Sequence, residues 1–309
     1  MRKFNLKGTA ADRMKGIPRE DPVPANETVK KTDETVITPG FTEEQGVFQC
    51  AWRTDVGKLR KNNQDAVILG NGLVGVADGM GGHNGGEVAS AGLRDGLLRE
   101  TKGSHPERNK LEDAIRMVNH ELWARQEKDT SLSGMGTTLT ILWPDKNEMI
   151  IGQIGDSRAY LLRDGVLTQI TNDHSMVADM VRKGVLTEEQ AACHPMRNYI
   201  TRAVGTEENI ETDLTIKDRK KGDRWLICSD GLYGMISRQQ LLEMMLTEDL
   251  EKAADEMLQA ALQGGGKDNI SLVLLQDNTV FFDTDNETSA DKKENMPAEK
   301  DEPEEVTDQ

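Results

Sequence analysis

Short apolar runs of four to seven residues, each bounded by Asp, Gly or Asn, punctuate the chain. Runs of that length are those of buried strands rather than helices. Residues 73–77 lead into Asp78, residues 149–155 into Asp156, and residues 225–229 into Asp230. In the opposite sense, Asp65 opens the run 66–69, and Asp268 with Asn269 opens 270–275. In an antiparallel pair the end of one strand lies beside the start of the next. Antiparallel pairing would therefore gather all five aspartates on one rim of a sheet. Carboxylates crowded into a small volume raise one another's pKa and need cations to stay ionised. A site whose ligands are all oxygen suits Mg²⁺ or Mn²⁺.

Between these runs the periodicity changes. Residues 87–99 follow a glycine cluster and read as a helix, in which Gly92 and Gly96 imply close packing on a neighbour. Residues 107–128 place Leu111, Ile115, Val118 and Leu122 on one helical face. Strands are expected at 47–54, 66–69, 73–77, 137–143, 149–155, 159–162, 225–229 and 269–275. Residues 171–205 break the strand rhythm with two short helices, one ending at Arg182-Lys183-Gly184 and one starting at Thr187, where Gln190 completes a capping box. Another helix is capped at Ser237 with Gln240, and a further one runs from Thr247 to the stop at Gly264-Gly265-Gly266. Strand runs set between paired helices predict an α+β fold, an antiparallel β-sandwich covered by helices.

Charge divides the chain. Residues 1–45 balance eight basic against eight acidic side chains and show no periodicity, and residues 277–309 hold twelve Asp or Glu against three Lys. Both ends read as disordered extensions. The tail accounts for −9 of the net charge of −16, which leaves about −7 for a domain of residues 46–276. That charge argues against non-specific binding to nucleic acid or to an anionic membrane. No apolar stretch is long enough to span a bilayer, and the N-terminus lacks a signal-peptide core. Cys50, Cys193 and Cys228 are scattered and odd in number, which suits a reducing compartment such as the cytoplasm.

An Asp-Gly pair alone is most often a turn. Asp78, however, is followed by Gly79-Met80-Gly81-Gly82-His83, a backbone that can approach a ligand closely and offer a carbonyl to a cation. Together with Thr54-Asp55-Val56-Gly57-x-x-Arg60-x-Asn62-Asn63-Gln64-Asp65, this segment resembles the first two motifs of the metal-dependent protein phosphatases, the PPM or type 2C family, in their bacterial form. Gly134-Met135-Gly136-Thr137-Thr138, Gly155-Asp156-Ser157-Arg158, Asp173-His174-Ser175, His194-Pro195 with Thr201–Gly205, Cys228-Ser229-Asp230-Gly231-Leu232, and Gly265-Gly266-Lys267-Asp268-Asn269 follow in family order. The resemblance covers about residues 47–275.

The resemblance implies a four-layer α-β-β-α sandwich with two divalent cations, Mn²⁺ or Mg²⁺, at one end. Position by position, it implies that Asp78, Asp230 and Asp268 hold the first metal. Asp78 bridges to the second, which also takes the Gly79 carbonyl. Asp65 orients the water bound there, and Asp156 with Asp230 holds a third, weaker ion. Arg60 grips the substrate phosphate. The implied reaction is hydrolysis of phosphoserine and phosphothreonine in proteins by a metal-bridging hydroxide, without a covalent phosphoenzyme. The implied partners are phosphorylated proteins and a cognate serine/threonine kinase, and the implied state is a monomer.

Two positions depart from the family. Gln64 replaces a common Glu, which removes a negative charge near the second metal, and Met80 replaces the histidine of animal members that is proposed as general acid. Methionine cannot donate a proton, so water, or His83, His174 or His194, is left for that role. Residues 171–205 match the family's flap, where Arg197 and Arg202 are candidates to assist Arg60. A non-catalytic phosphoprotein binder and a two-metal phosphodiesterase or nuclease remain as rival readings.

Overall fold

The computed structural model describes residues 39–81 and 85–280. In chain order the first half contains β1 (Phe48–Asp55), β2 (Asp65–Gly70), β3 (Leu73–Met80), α1 (Gly85–Glu100) and α2 (Arg108–Lys128). It continues with β4 (Gly136–Thr137), β5 (Leu139–Pro144), β6 (Glu148–Ile154), β7 (Arg158–Arg163) and β8 (Val166–Gln169). The second half contains α3 (Met176–Arg182), α4 (Glu188–Ala192), β9 (Asp213–Asp218), β10 (Arg224–Cys228), α5 (Asp230–Tyr233), α6 (Arg238–Met245), α7 (Leu250–Gln263) and β11 (Ile270–Asp277).

The strands form two antiparallel sheets, ordered β1-β11-β10-β7-β8 and β2-β3-β5-β6-β9, with β4 attached to β3. Val74, Val76, Leu142, Ile151, Trp225, Ile227, Val273 and Leu275 fill the space between them. On the outer face of the second sheet, Leu93, Leu97, Ile115 and Val118 of α1 and α2 pack on Ile68, Leu139 and Ile141. On the outer face of the first, Leu241, Ala254 and Met257 of α6 and α7 pack on Leu226, Leu272 and Leu274. Each sheet is thus apolar on both faces, as a strand buried between two layers must be. The result is four layers, α-β-β-α, as expected.

Gly92 and Gly96 let α1 lie directly on α2: a Cβ at either would press into Leu122 or Val118. Both predicted capping boxes form, Thr187 with Gln190 and Ser237 with Gln240. The helix expected from Thr247 starts instead at Leu250, because Asp249 accepts the Lys252 N–H and so caps it. Two edge strands, β8 and β9, were not expected. Edge strands carry polar and charged residues that blunt pairing with other chains, and Asp213-Leu-Thr-Ile-Lys-Asp218 reads as loop for that reason.

The packed unit extends beyond the expected boundaries of 46 and 276. Gln45 is buried and donates to the Pro144 carbonyl, and Phe41 stacks on Phe48. Asp277 is fully buried in an ion pair with Arg219, whose guanidinium lies 4.5 Å over the Phe48 ring. The remainder of the two extensions read as disordered lies outside the described residues. Among the described residues, no helix is long and apolar enough to cross a membrane.

Candidate metal centre

The aspartates do not line one sheet as expected: strand register gathers two on one sheet and three on the other, and the stacked sheets bring both edges to one rim. Asp65 is the direct partner of Asp78 across β2 and β3. In the other sheet, Cys228 pairs with both Arg158 and Leu272, so Asp230, Asp156 and Asp268 follow or precede strand ends on the same side. The rim closes tightly. Gly57, at φ +76°, lies against the Asp268 carbonyl, where any Cβ would collide. Gly79 is likewise pressed between the carbonyls of Gln64 and Gly86. Only glycine fits such approaches.

Hydrogen bonds then brace the segments that carry the carboxylates. The Asp78 N–H donates to Thr138 Oγ1, and the Thr138 N–H returns a bond to the Asp78 carbonyl. Ser229 Oγ donates to Asp65 Oδ2 at 2.8 Å and accepts the Ser271 N–H. Tyr233 donates its hydroxyl to the Asp156 carbonyl at 2.9 Å. Asn269 ties down the preceding loop: its Oδ1 accepts the Gln64 N–H, and its Nδ2 donates to the Val56 and Asn62 carbonyls.

The electrostatics are those of an anion cluster. Burial first, then the neighbouring Asp65 and Asp230, push Asp78 well above the usual carboxylate range. Asp230 is raised to about 8 by burial and by Asp156 and Asp268. Asp65 and Asp156 are each raised to about 6, chiefly by burial. Asp65 Oδ1 and Asp230 Oδ1 are buried with no hydrogen-bond donor. An unsatisfied buried acceptor costs about 1–3 kcal/mol, and a divalent cation would supply both the missing partner and the missing charge. This donor set fits Mg²⁺ or Mn²⁺. Among the described residues, no three of these side chains already close on one point. Asp268 instead gives Oδ2 to Arg60 Nη2 at 2.7 Å and Oδ1 to the Asn269 N–H.

Asp65, Asp78, Asp156, Asp230 and Asp268 therefore share one rim with Gly79, and half-exposed Arg60 touches it through Asp268. The histidines do not join them. His174 is buried; its Nδ1 accepts the Gly155 N–H, which leaves Nε2–H facing Asp213 Oδ2 at 3.1 Å. Burial lowers its pKa, so it is a neutral brace for the Gly155–Asp156 turn. His194 caps its own turn at Met196. His83 lies outside the described residues. Arg202 is engaged with Asp213 and the Glu211 carbonyl, which removes it as a free phosphate ligand, whereas Arg197 stays exposed.

Ser229, Thr138, Asn269 and Tyr233 were assigned no role from sequence. The first three each lie one or two residues from an aspartate or within a quoted motif, a signal that short polar neighbours of a ligand brace it. Tyr233 had no such signal.

The comparisons agree with this fold. A model of the protein phosphatase 2C family matches residues 59–265. The serine/threonine protein phosphatase PstP of Mycobacterium tuberculosis is 42% identical over 231 residues, 74% of this chain and 45% of that protein, so the chain spans about half of that relative's length. The serine/threonine phosphatase stp of Listeria innocua is 36% identical over 243 residues, 75% of this chain and 96% of that protein. The crystal structure of the PstP catalytic domain in complex with two manganese ions superposes with a TM-score of 0.69 at 39% identity, covering 74% of this chain and 97% of that one. Two helix-covered antiparallel sheets, the aspartate rim and a family match across two thirds of the sequence lead to one assignment: the chain belongs to the protein phosphatase 2C family.

Proposed function

We propose that the chain is a metal-dependent phosphatase that hydrolyses phosphoserine and phosphothreonine in proteins, within a catalytic unit of residues 46–276 and the short flanks packed on it. Asp78, Asp230 and Asp268 hold two Mn²⁺ or Mg²⁺ ions together with the Gly79 carbonyl, and Asp156 with Asp230 holds a weaker third. The observation that carries the reading is the pair of buried, donorless oxygens on Asp65 and Asp230 within a cluster of mutually destabilised carboxylates. Bound there, the ions supply Lewis acidity that ionises water and neutralises phosphoryl charge.

The chain's own groups do the rest. Arg60, half exposed at the rim, presents its guanidinium to the substrate phosphate. Asp65, with Oδ2 held by Ser229, keeps Oδ1 free to orient the attacking water. Direct attack by water is favoured because the nearby nucleophiles are disabled. Ser229 and Cys228 are fully buried, and burial pushes the Cys228 thiol up to about 12. A kinase that forms the phosphomonoesters is the natural counterpart. Three unpaired cysteines suit the reducing cytoplasm.

Turnover of p-nitrophenyl phosphate with Mn²⁺, its loss on chelation, and no turnover of bis-p-nitrophenyl phosphate are the expected results. Acid quenching during turnover of ³²P-labelled phosphopeptide should leave no label on the protein. Activity unaffected by chelation, or a trapped phosphoprotein, would overturn the mechanism.

A further inference from the structure

A cleft of about 540 Å³ runs from Asp156, Asp230 and Asp268 beneath the two flap helices. One wall is α3 and α4; the other is α5, α6 and the turn between them. The cleft is far larger than a phosphoryl group needs, so what fills it beyond the carboxylates belongs to the rest of the substrate.

Its lining is part apolar and part charged. Val177 and Val181 stand four residues apart on α3 and so share one helical face. With Ala191 from α4 and Ile236 and Leu241 opposite, they form the apolar part of the lining. The flap face is held in place. Ser175 caps α3 and bridges to Ile200, and the Met176 N–H donates to the Tyr199 carbonyl. Val181 remains only half-buried, so its apolar surface is not consumed by the fold.

Another part of the lining is a fixed polar wall. Arg158 makes a forked ion pair with Asp173, 2.7 Å at the shorter contact, and its guanidinium stacks 3.7 Å over the Tyr233 ring. With its charge already paired, Arg158 shapes the cleft rather than competing for phosphate. Lys267 and Arg197, by contrast, line the cleft exposed and without an ion-pair partner among the described residues.

We propose that this cleft is a side-chain subsite for the protein substrate, taking an apolar residue close to the phosphoserine or phosphothreonine, with Lys267 and Arg197 favouring an acidic residue beside it. The inference rests on the phosphatase reading above. It names the substrate class as phosphopeptides with apolar and acidic flanks. Two observations point to that occupant: the cleft is continuous with the carboxylates, and two exposed cations, Lys267 and Arg197, line it against one exposed carboxylate, Glu188, in a domain of negative net charge.

The test uses the full chain with Mn²⁺ and a set of phosphoserine peptides in which Leu, Lys or Glu is placed at each flanking position in turn, beside p-nitrophenyl phosphate. At one position Leu should exceed Lys in kcat/KM by about tenfold or more, the discrimination typical of an apolar pocket. Val181→Glu should abolish that preference and lower the peptide-to-nitrophenyl ratio of kcat/KM about tenfold. Val181→Ala, a milder change at a half-buried helix position, should lower it less, with melting curves reporting the fold of both. Lys267→Glu should reverse the preference for Glu over Lys. Equal kcat/KM for all flanks, or a Leu preference that survives Val181→Glu, overturns the subsite. Failure to turn over p-nitrophenyl phosphate with Mn²⁺ overturns the phosphatase reading itself, and with it the subsite, before any peptide is compared.

Discussion

Asp65 and Asp78 face one another as register partners across β2 and β3, both half-buried at the rim. Placing two acids side by side in a low-dielectric rim destabilises the folded chain at neutral pH unless something positive joins them. The sign of the consequence is fixed. Burial and its acidic neighbours raise Asp230 to about 8 in the folded chain, from 3.8 for an ordinary aspartate, so between those pH values the folded state holds more protons than the unfolded. Stability of the chelator-treated protein should therefore fall as pH rises from 5 to 8, and Mn²⁺ should reverse the trend. Thermal melts in EDTA and in Mn²⁺ across that range check it; a melting point that rises with pH in EDTA would contradict the cluster.

The same logic separates stability from activity. Asp230→Asn should raise the melting temperature of the chelated protein at pH 8, by about 2–4 °C for each kcal/mol relieved. Asp230→Ala and Asp268→Ala should lower kcat by on the order of 10²–10³-fold or more, with an unchanged circular dichroism spectrum. Manganese titration by calorimetry should show the matching loss of binding.

Arg60 is predicted to act on binding rather than on chemistry. Arg60→Ala should raise KM for phosphopeptides about tenfold or more, the worth of a charge-assisted hydrogen bond, with a smaller change in kcat. Steady-state kinetics on one phosphopeptide decide it. An unchanged KM would show that the guanidinium serves only Asp268.

At the other end of the sandwich, the Arg219–Asp277 pair is fully buried. Removing one partner leaves an uncompensated buried charge, at a cost of about 3–5 kcal/mol. Asp277→Ala should therefore lower the denaturation midpoint strongly while sparing kcat, because β11 spans about 26 Å between this pair and the aspartate rim. Truncation after Val280 should be tolerated, whereas truncation after Gln276 should not. Urea melts of the two truncated chains distinguish them.

Much of this was legible in the chain itself, for identifiable reasons. Central strands such as β3 and β10 are apolar throughout and end on Asp-Gly, so composition and punctuation together reveal them. The capping boxes at Thr187 and Ser237 are local hydrogen-bond arrangements, complete within four residues, and both form as read. Edge strands β8 and β9 escaped because about half their side chains face water; β8 only closes a hairpin on β7 across Asp164-Gly165, and β9 pairs with β6, a strand far earlier in the chain.

The sequence by itself determined which residues could be ligands and that they gather at one end of each sheet, because aspartates at strand ends are placed by antiparallel pairing; stacking of the two sheets then brings Asp65 and Asp78 to Asp156, Asp230 and Asp268. The tertiary structure decided what stands around them. Ser229 on Asp65, Tyr233 on Asp156, His174 as a buried brace and Arg60 on Asp268 are contacts between segments from 19 to 208 residues apart. Such contacts depend on the packing of two sheets and their covering helices, and no local pattern in the chain encodes that packing.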